Sequence, residues 1–307
     1  MHLSHRYNQH STAEDVTEGL DLSGQVALVT GCTNGIGVET MRVLALRGAQ
    51  VLATGRTVEK VEKACRGMQG FITPLALELT DLNSVNQCAA TIKEWGLCPD
   101  IVILNAGRDH AGKLELASGI EGVFFANFLG HFVLINNLLP SMLVKDSGRI
   151  VHVASNSAYK EDKGPPPEGI DFDNLRGEGI YDAQHAYGRS KLANTLFSLE
   201  LSNRLKGTGL TSNAIHPGSV LTNIAHNFPA EVRQALKDYA HRLLTPSQGA
   251  ATQIYVATSP DVSGLSGAFF EICRPIDSRH LKFINDSAMA RLSLIHISEP
   301  TRLRSIS

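Results

Sequence analysis

The sequence predicts an α/β protein built on a doubly wound parallel sheet of about seven strands, with helices on both faces. Three observations predict it. Short apolar runs recur along the 307 residues and alternate with segments whose apolar positions follow helical spacing. The helix-like segments end at glycine stops. No linker of shifted composition divides the chain, so the strand–helix alternation belongs to one sheet covered on both sides.

The elements can be justified in order. QVALVT (25–30) is the first strand, and GVETMRVLALRG after it is a helix stopped by Gly48. VLAT (51–54) precedes VEKVEKACRG, which stops in the same way at Gly67. The later strands are PLALEL (74–79), IVIL (101–104), RIVHVAS (149–155), TSNAIH (211–216) and AFFEI (268–272). LANTLFSLELSNRLKG places Leu192, Leu196, Leu199 and Leu205 at helical spacing and closes on Gly207. The longest apolar-rich stretch, residues 122–144, carries Asn127, His131, Asn136, Asn137 and Pro140. Those residues argue for a buried helix rather than a membrane span.

A single domain is expected over residues 22–291, preceded by an extension, 1–21. Two regions break its rhythm. Residues 158–182 hold three consecutive prolines and several acids, and residues 219–246 include the helix-like AEVRQALKDYAHRLL. Both follow strand ends, where ligands sit in such folds, so both are candidate covers for a substrate. Residues 292–302, LSLIHISEPTR, match the translation of a transposase adapter used in sequencing libraries. Residues 292–307 are therefore expected to be read-through rather than native protein, with the natural C-terminus missing.

Composition narrows the partners. A formal charge of −2 gives no electrostatic reason to expect nucleic acid or an anionic membrane. Cys32, Cys65, Cys88, Cys98 and Cys273 are scattered without metal-ligand spacing, which fits reduced thiols in a cytoplasmic setting and no metal site. Residues 1–24 are polar and lack the apolar core of a secretory signal. The expectation is a soluble protein acting on a small molecule, with its oligomeric state open.

After the first strand comes Thr30-Gly31-Cys32-Thr33-Asn34-Gly35-Ile36-Gly37, then a helix. Glycines there allow a tight reversal and close backbone approach to a pyrophosphate, with the positive end of the helix dipole facing it. The second strand ends at Thr54-Gly55-Arg56. A fold preferring NAD usually places an acid here for the adenosine ribose. Gly55 stands in its place, and Arg56 beside it suits a 2′-phosphate, so NADP(H) is expected over NAD(H).

Tyr187-x-x-x-Lys191 places a phenol and an amine on one helical face. Taken alone the pair is uninformative. Taken with the glycine turn, Asn105-Ala106-Gly107, Asn127 in FANFLGHF, Ser155 after the fifth strand and Pro217-Gly218 after the sixth, it resembles the short-chain dehydrogenase/reductase family over about residues 22–290. STAEDVTEGLDLSG, RSKLAN and SNAIHPG are similar to its retinol dehydrogenase-like branch. The resemblance implies a Rossmann-type sheet and an NADP(H)-dependent interconversion of an alcohol and a carbonyl, with the apolar substrates of the branch. It implies Tyr187 as acid–base catalyst, Lys191 stabilising the phenolate and holding the nicotinamide ribose, Ser155 bonding the substrate oxygen, and Asn127 holding a relay water. The phosphate turn (Gly31, Thr33, Asn34, Gly35, Ile36, Gly37), Arg56, Glu78, Leu79, Asn105, Ala106, Gly107, Pro217, Gly218 and Thr222 would then face the cofactor.

There are departures. Ala126-Asn127-Phe128 stands where the branch commonly has Val-Asn-His, and Glu78 where an aspartate commonly meets the adenine. Two other functions compete: a non-catalytic dinucleotide-binding regulator or scaffold, and a double-bond reductase on the same fold. The intact Ser155, Tyr187 and Lys191 argue against the pure binder.

Overall fold

The structure is a computed structural model, and it describes residues 6–109, 113–162, 164–220, 234, 243–279, 281 and 283–291. Its strands are β1 (Val26–Val29), β2 (Gln50–Gly55), β3 (Phe71–Ala76), β4 (Ile101–Leu104), β5 (Leu116–Ala117), β6 (Ile120–Glu121), β7 (Gly148–Val153), β8 (Leu210–His216), β9 (Phe269–Glu271) and β10 (Arg274–Pro275). Eight of these form one sheet in the order β10-β9-β8-β7-β4-β1-β2-β3, parallel throughout except for the β9–β10 hairpin. β5 and β6 pair as a separate short ribbon. Chain order reverses between β1 and β4, and a doubly wound sheet opens its ligand crevice at such a reversal.

The main helices are α1 (Gly35–Leu46), α2 (Val58–Cys65), α3 (Leu82–Glu94), α4 (Gly122–Met142), α5 (Ala183–Arg204) and α6 (Pro246–Thr258). Successive strand residues feed opposite faces. Leu28 packs with α3, α4 and α5, whereas Ala27 and Val29 pack with α1 and α6. Burial on both faces explains why β1, β4 and most of β7 read as apolar runs. The N-terminal residues Ala13, Val16 and Leu22 are buried in the α1–α6 layer, so the extension docks on the sheet's helical cover.

One expectation is corrected. The third strand is 71–76 rather than 74–79, because β3 is the sheet edge. Pro74 can pair there with Ala53 without needing a second ladder partner. The seven expected strands are joined by one more at the edge, where Arg274–Pro275 folds back on β9 across Ile272 and Cys273, both at positive φ (49° and 58°). The apolar stretch is helix α4, long and apolar enough to cross a membrane, yet 78% of its most apolar window is buried within the fold. It is a core helix. The helix-like segment 230–244 lies mostly outside the described residues, as do Thr222 and residues 292–307.

Candidate active site

The carboxyl ends of β1, β2, β4 and β7 open into one cleft of about 550 Å³, ordinary for a small-ligand site. At one end is the glycine turn. Gly31 and Gly35 have φ of 77° and 58°, the left-handed region that glycine enters freely. A β-carbon on Gly37 would collide with the Gly31 carbonyl and sit 2.6 Å from Asn105 Nδ2, so helix, turn and β4 meet where no side chain fits. Helices α2, α3, α5 and α6 are each capped at the N-terminus by a side chain, from Thr57, Asp81, Asp182 and Thr245. α1 is not: Asn34 makes no side-chain cap. Its first amides are thus left for an anion, and the residues fit a dinucleotide pyrophosphate.

Gly31, Thr33, Asn34, Gly35, Ile36, Gly37, Arg56, Glu78, Leu79, Asn105, Ala106, Gly107, Tyr187, Lys191 and Pro217 all line this cleft. Arg56 is exposed at the end of β2. Gly55 beside it has no room for a side chain, because a β-carbon would lie 2.5 Å from Thr33 Cγ2. Glu78 turns its Oε1 back on its own loop, accepting from the Thr80 amide at 3.0 Å and the Thr80 hydroxyl at 2.6 Å. Its carboxylate therefore serves the turn as well as the cleft wall. Gly218, at φ 87°, lines a neighbouring cavity rather than this cleft.

The catalytic candidates converge at the other end. Ser155 follows β7 and N-caps the 3-10 turn Asn156–Ala158, accepting from the Ser157 amide at 3.1 Å. It also stands close enough to Tyr187 to favour its anion. Lys191 is buried, donates to the Val153 carbonyl at 2.9 Å and lies 5.6 Å from the Tyr187 ring centroid. Burial lowers its pKa to about 8, with the charge of Asp109 acting the other way.

The pKa of Tyr187 is raised, first by burial and then by the negative charge of Asp109, while Ser155 lowers it. One of the three Lys191 donors goes to the Val153 carbonyl. In this arrangement Tyr187 is held protonated.

Asn127 sits in a π-helical turn, Phe125–Leu129, within α4. That widened turn is a feature of functional helices that apolar spacing alone does not announce. Its side chain accepts from the Arg108 amide at 2.8 Å and donates to the Arg108 carbonyl and Ser190 Oγ, both at 3.0 Å. Ser190 in turn donates to the Tyr187 carbonyl at 2.8 Å. One amide thus joins the loop after β4 to the catalytic helix.

Sequence reasoning missed four participants. Arg108 and Asp109 line the cleft immediately after Asn105-Ala106-Gly107, and their position was the available signal. Thr30 Oγ1 accepts the Ala106 amide at 2.9 Å and lies 2.9 Å from His131 Nε2. His131 Nδ1 lies 3.1 Å from the Asn127 carbonyl, which can only accept. The proton therefore sits on Nδ1, and Thr30 donates to Nε2. His131 is a packed histidine that ties the first strand to the π-turn. Cys32 is buried with its thiol pushed up to about 12, an inert neighbour of the turn. Among the described residues no group of three or more His, Cys, Asp or Glu could hold a metal.

A glycine turn at an uncapped helix, a switch-point cleft and a Ser–Tyr–Lys cluster define a dinucleotide-binding oxidoreductase. The comparisons carry this further. A short chain dehydrogenase profile matches residues 25–165. The chain is 35% identical over 282 residues to the chloroplastic short-chain dehydrogenase TIC 32 B of Brassica napus, covering 87% of this chain and 86% of that one. It is 35% identical over 263 residues to mouse retinol dehydrogenase 11, covering 84% and 81%. Identity to the chicken WW domain-containing oxidoreductase is also 35%, over 277 residues and 87% of this chain, which spans 66% of that relative's length. Among solved structures, an uncharacterised protein from Mycobacterium paratuberculosis superposes with a TM-score of 0.72 at 29% identity, over 92% of this chain and 96% of that one. The chain belongs to the short-chain dehydrogenase/reductase family, in its retinol dehydrogenase-like branch. It is accordingly an oxidoreductase acting between CH–OH and C=O groups with NAD or NADP.

Proposed function

We propose that this protein is an NADP(H)-dependent oxidoreductase interconverting an alcohol and an aldehyde or ketone, with Ser155, Tyr187, Lys191 and Asn127 as its catalytic set. The observation that carries the reading is that Tyr187 and Lys191, 5.6 Å apart from ring centroid to Nζ, line the same cleft as the glycine turn and Arg56. Bound nicotinamide would supply or accept the hydride. The chain's residues manage the oxygen and its proton. Ser155 and Tyr187 present two hydroxyls to one substrate oxygen, and Tyr187, kept protonated by burial and Asp109, is the general acid of reduction. In oxidation the same oxygen is the base, and the nearby Lys191 ammonium is the charge available to stabilise its anion.

A β-carbon on Gly107 would lie 3.4 Å from Lys191 Nζ and 3.5 Å from Asn127 Oδ1. Arg56 is the reason for preferring the 2′-phosphorylated cofactor: no ion pair engages it among the described residues, and no acid stands at Gly55 to greet a bare ribose. The structure of an NAD(P)-dependent gluconate 5-dehydrogenase from Beutenbergia cavernae, 25% identical over 82% of this chain with a TM-score of 0.64, holds NADP at low occupancy and favours the same cofactor class. Five free cysteines favour a reducing, cytoplasmic setting.

Titration with NADPH and NADH, on the wild type and Arg56→Ala, tests the cofactor choice. The variant should lose about 10- to 100-fold in NADPH affinity, the roughly 1.5–3 kcal/mol of a charge-assisted hydrogen bond, with NADH affinity unchanged. Equal affinity for both cofactors in the wild type would remove the NADP(H) assignment. Turnover of a panel of aldehydes and ketones with the bound cofactor tests the chemistry, and binding without any turnover would favour the regulator.

A further inference from the structure

The catalytic helix is gripped from the face opposite its reactive pair. Tyr187 and Lys191 are four residues apart and share one side of α5, whereas Arg189 between them points the other way. There it enters a buried cluster. Its Nη2 lies 3.7 Å from Glu121 Oε2, its guanidinium lies over the Phe124 ring at 5.4 Å, and its Nη1 donates to the Asn174 carbonyl at 3.2 Å. Arg189 is 7% exposed and Glu121 is fully buried.

Glu121 serves α4 at the same time. Its Oε1 accepts from the Val123 amide at 2.9 Å and its Oε2 from the Phe124 amide at 2.8 Å, capping the helix whose next turn carries Asn127. The 158–182 insertion closes the cluster. Tyr181 donates to Glu121 Oε1 at 3.1 Å, and the Glu121 amide donates to the Leu175 carbonyl at 2.9 Å. Beside it, a β-carbon on Gly188 would collide with the backbone of Gly164 and Pro165. The glycine between the catalytic tyrosine and lysine therefore has a cause: the insertion lies directly against the helix there.

We infer that Arg189 is a positioning residue for Tyr187: its buried contacts with Glu121 and the 158–182 insertion fix the rotation of α5 and so the approach of the Tyr187 hydroxyl to Ser155. An isolated rotation of α5 would have to withdraw a buried guanidinium from its carboxylate, which a low-dielectric interior resists strongly. The insertion is then more than a cover for substrate. Through Asn174, Tyr181 and Gly188 it is part of the frame that aims the catalytic helix. The inference rests on the catalytic reading of Tyr187 given above.

The test compares Arg189→Met, Arg189→Lys, Tyr181→Phe and the wild type, by NADPH titration, by steady-state turnover of the best carbonyl substrate, and by amide hydrogen exchange without cofactor. Arg189→Met should lower kcat at least 10-fold with NADPH affinity unchanged, and should speed exchange at 183–191 while the glycine turn stays protected. Arg189→Lys should restore most of kcat, and Tyr181→Phe should give a smaller loss of the same kind. Unchanged kcat in Arg189→Met would overturn the inference. So would a parallel loss of cofactor affinity and of protection throughout the chain, without rescue by lysine, because that marks a general folding defect. A wild type that binds NADPH yet turns over no carbonyl would instead overturn the catalytic reading on which it rests.

Discussion

The two ends of the cleft are built in opposite ways. At the glycine turn the chain works by removing side chains: Gly31, Gly37 and Gly55 each stand where a β-carbon would lie within 3.0 Å of another group, and the ligand is left to meet backbone amides. At the catalytic end the chain works by adding them. Lys191, Asn127, Ser190, His131 and Glu121 are buried polar groups, each held by named partners. A backbone cradle tolerates little change in shape but makes few chemical demands. A buried polar cluster tolerates little change in chemistry, because each unsatisfied member is costly in a low-dielectric site.

The largest effect should separate the two ends cleanly. Tyr187→Phe removes one hydroxyl at the catalytic end and nothing at the turn. It should reduce kcat by about 10³-fold, within the range of acid–base catalysis, while NADPH affinity holds. Loss of NADPH binding in this variant would mean that the ends are not separable.

Gly37→Ala is the converse. The added methyl meets the Gly31 carbonyl and Asn105 Nδ2, neither of which is a flexible chain end. Overpacking of this kind costs ~1–3 kcal/mol, so cofactor affinity should fall roughly 10- to 100-fold or the fold should lose that stability. The activity of cofactor-saturated enzyme should change far less. A fully active, normally stable variant would show that the turn is looser than its geometry indicates.

The same contrast decides what could be read from sequence. The turn was legible because its physics is glycine spacing on a strand–helix junction, and spacing is visible in one dimension. Ser155, Tyr187 and Lys191 stood out only in company, as members of an ordered set of motifs that resembles a family, since the helical spacing of Tyr187 and Lys191 alone says nothing. The clamp through Arg189 was not. Glu121 and Arg189 are 68 positions apart, and nothing local distinguishes a buried Arg–Glu contact from two surface charges. The π-turn at Asn127 was equally hidden, since Phe125-Ala126-Asn127-Phe128-Leu129 reads as ordinary helix. So was the shift of β3, which depended on knowing that Pro74 lies at the sheet edge.

Acid stability should sharpen the comparison further, because the catalytic end keeps histidines where the turn has none. Burial lowers the pKa of His131 to about 4 and of His152 to about 3. His152 packs edge-on against Phe197 at 5.0 Å and lies 3.1 Å from Ser212 Oγ, leaving its Nδ1 without a partner. Both rings are neutral in the fold, whereas an unfolded histidine takes up a proton near pH 6.5. The unfolded chain therefore binds more protons below that value, and stability must fall as pH drops from about 6.5 toward 4. Each ring contributes on the order of 2 kcal/mol of this loss at pH 5, above the range where most carboxylates titrate. Thermal melts between pH 7.5 and 5 should show the decline, and His152→Gln should show a shallower one from a lower starting point. If the slope is the same in both, His152 is not its source, and its surroundings would be less tightly closed to protons than its contacts require.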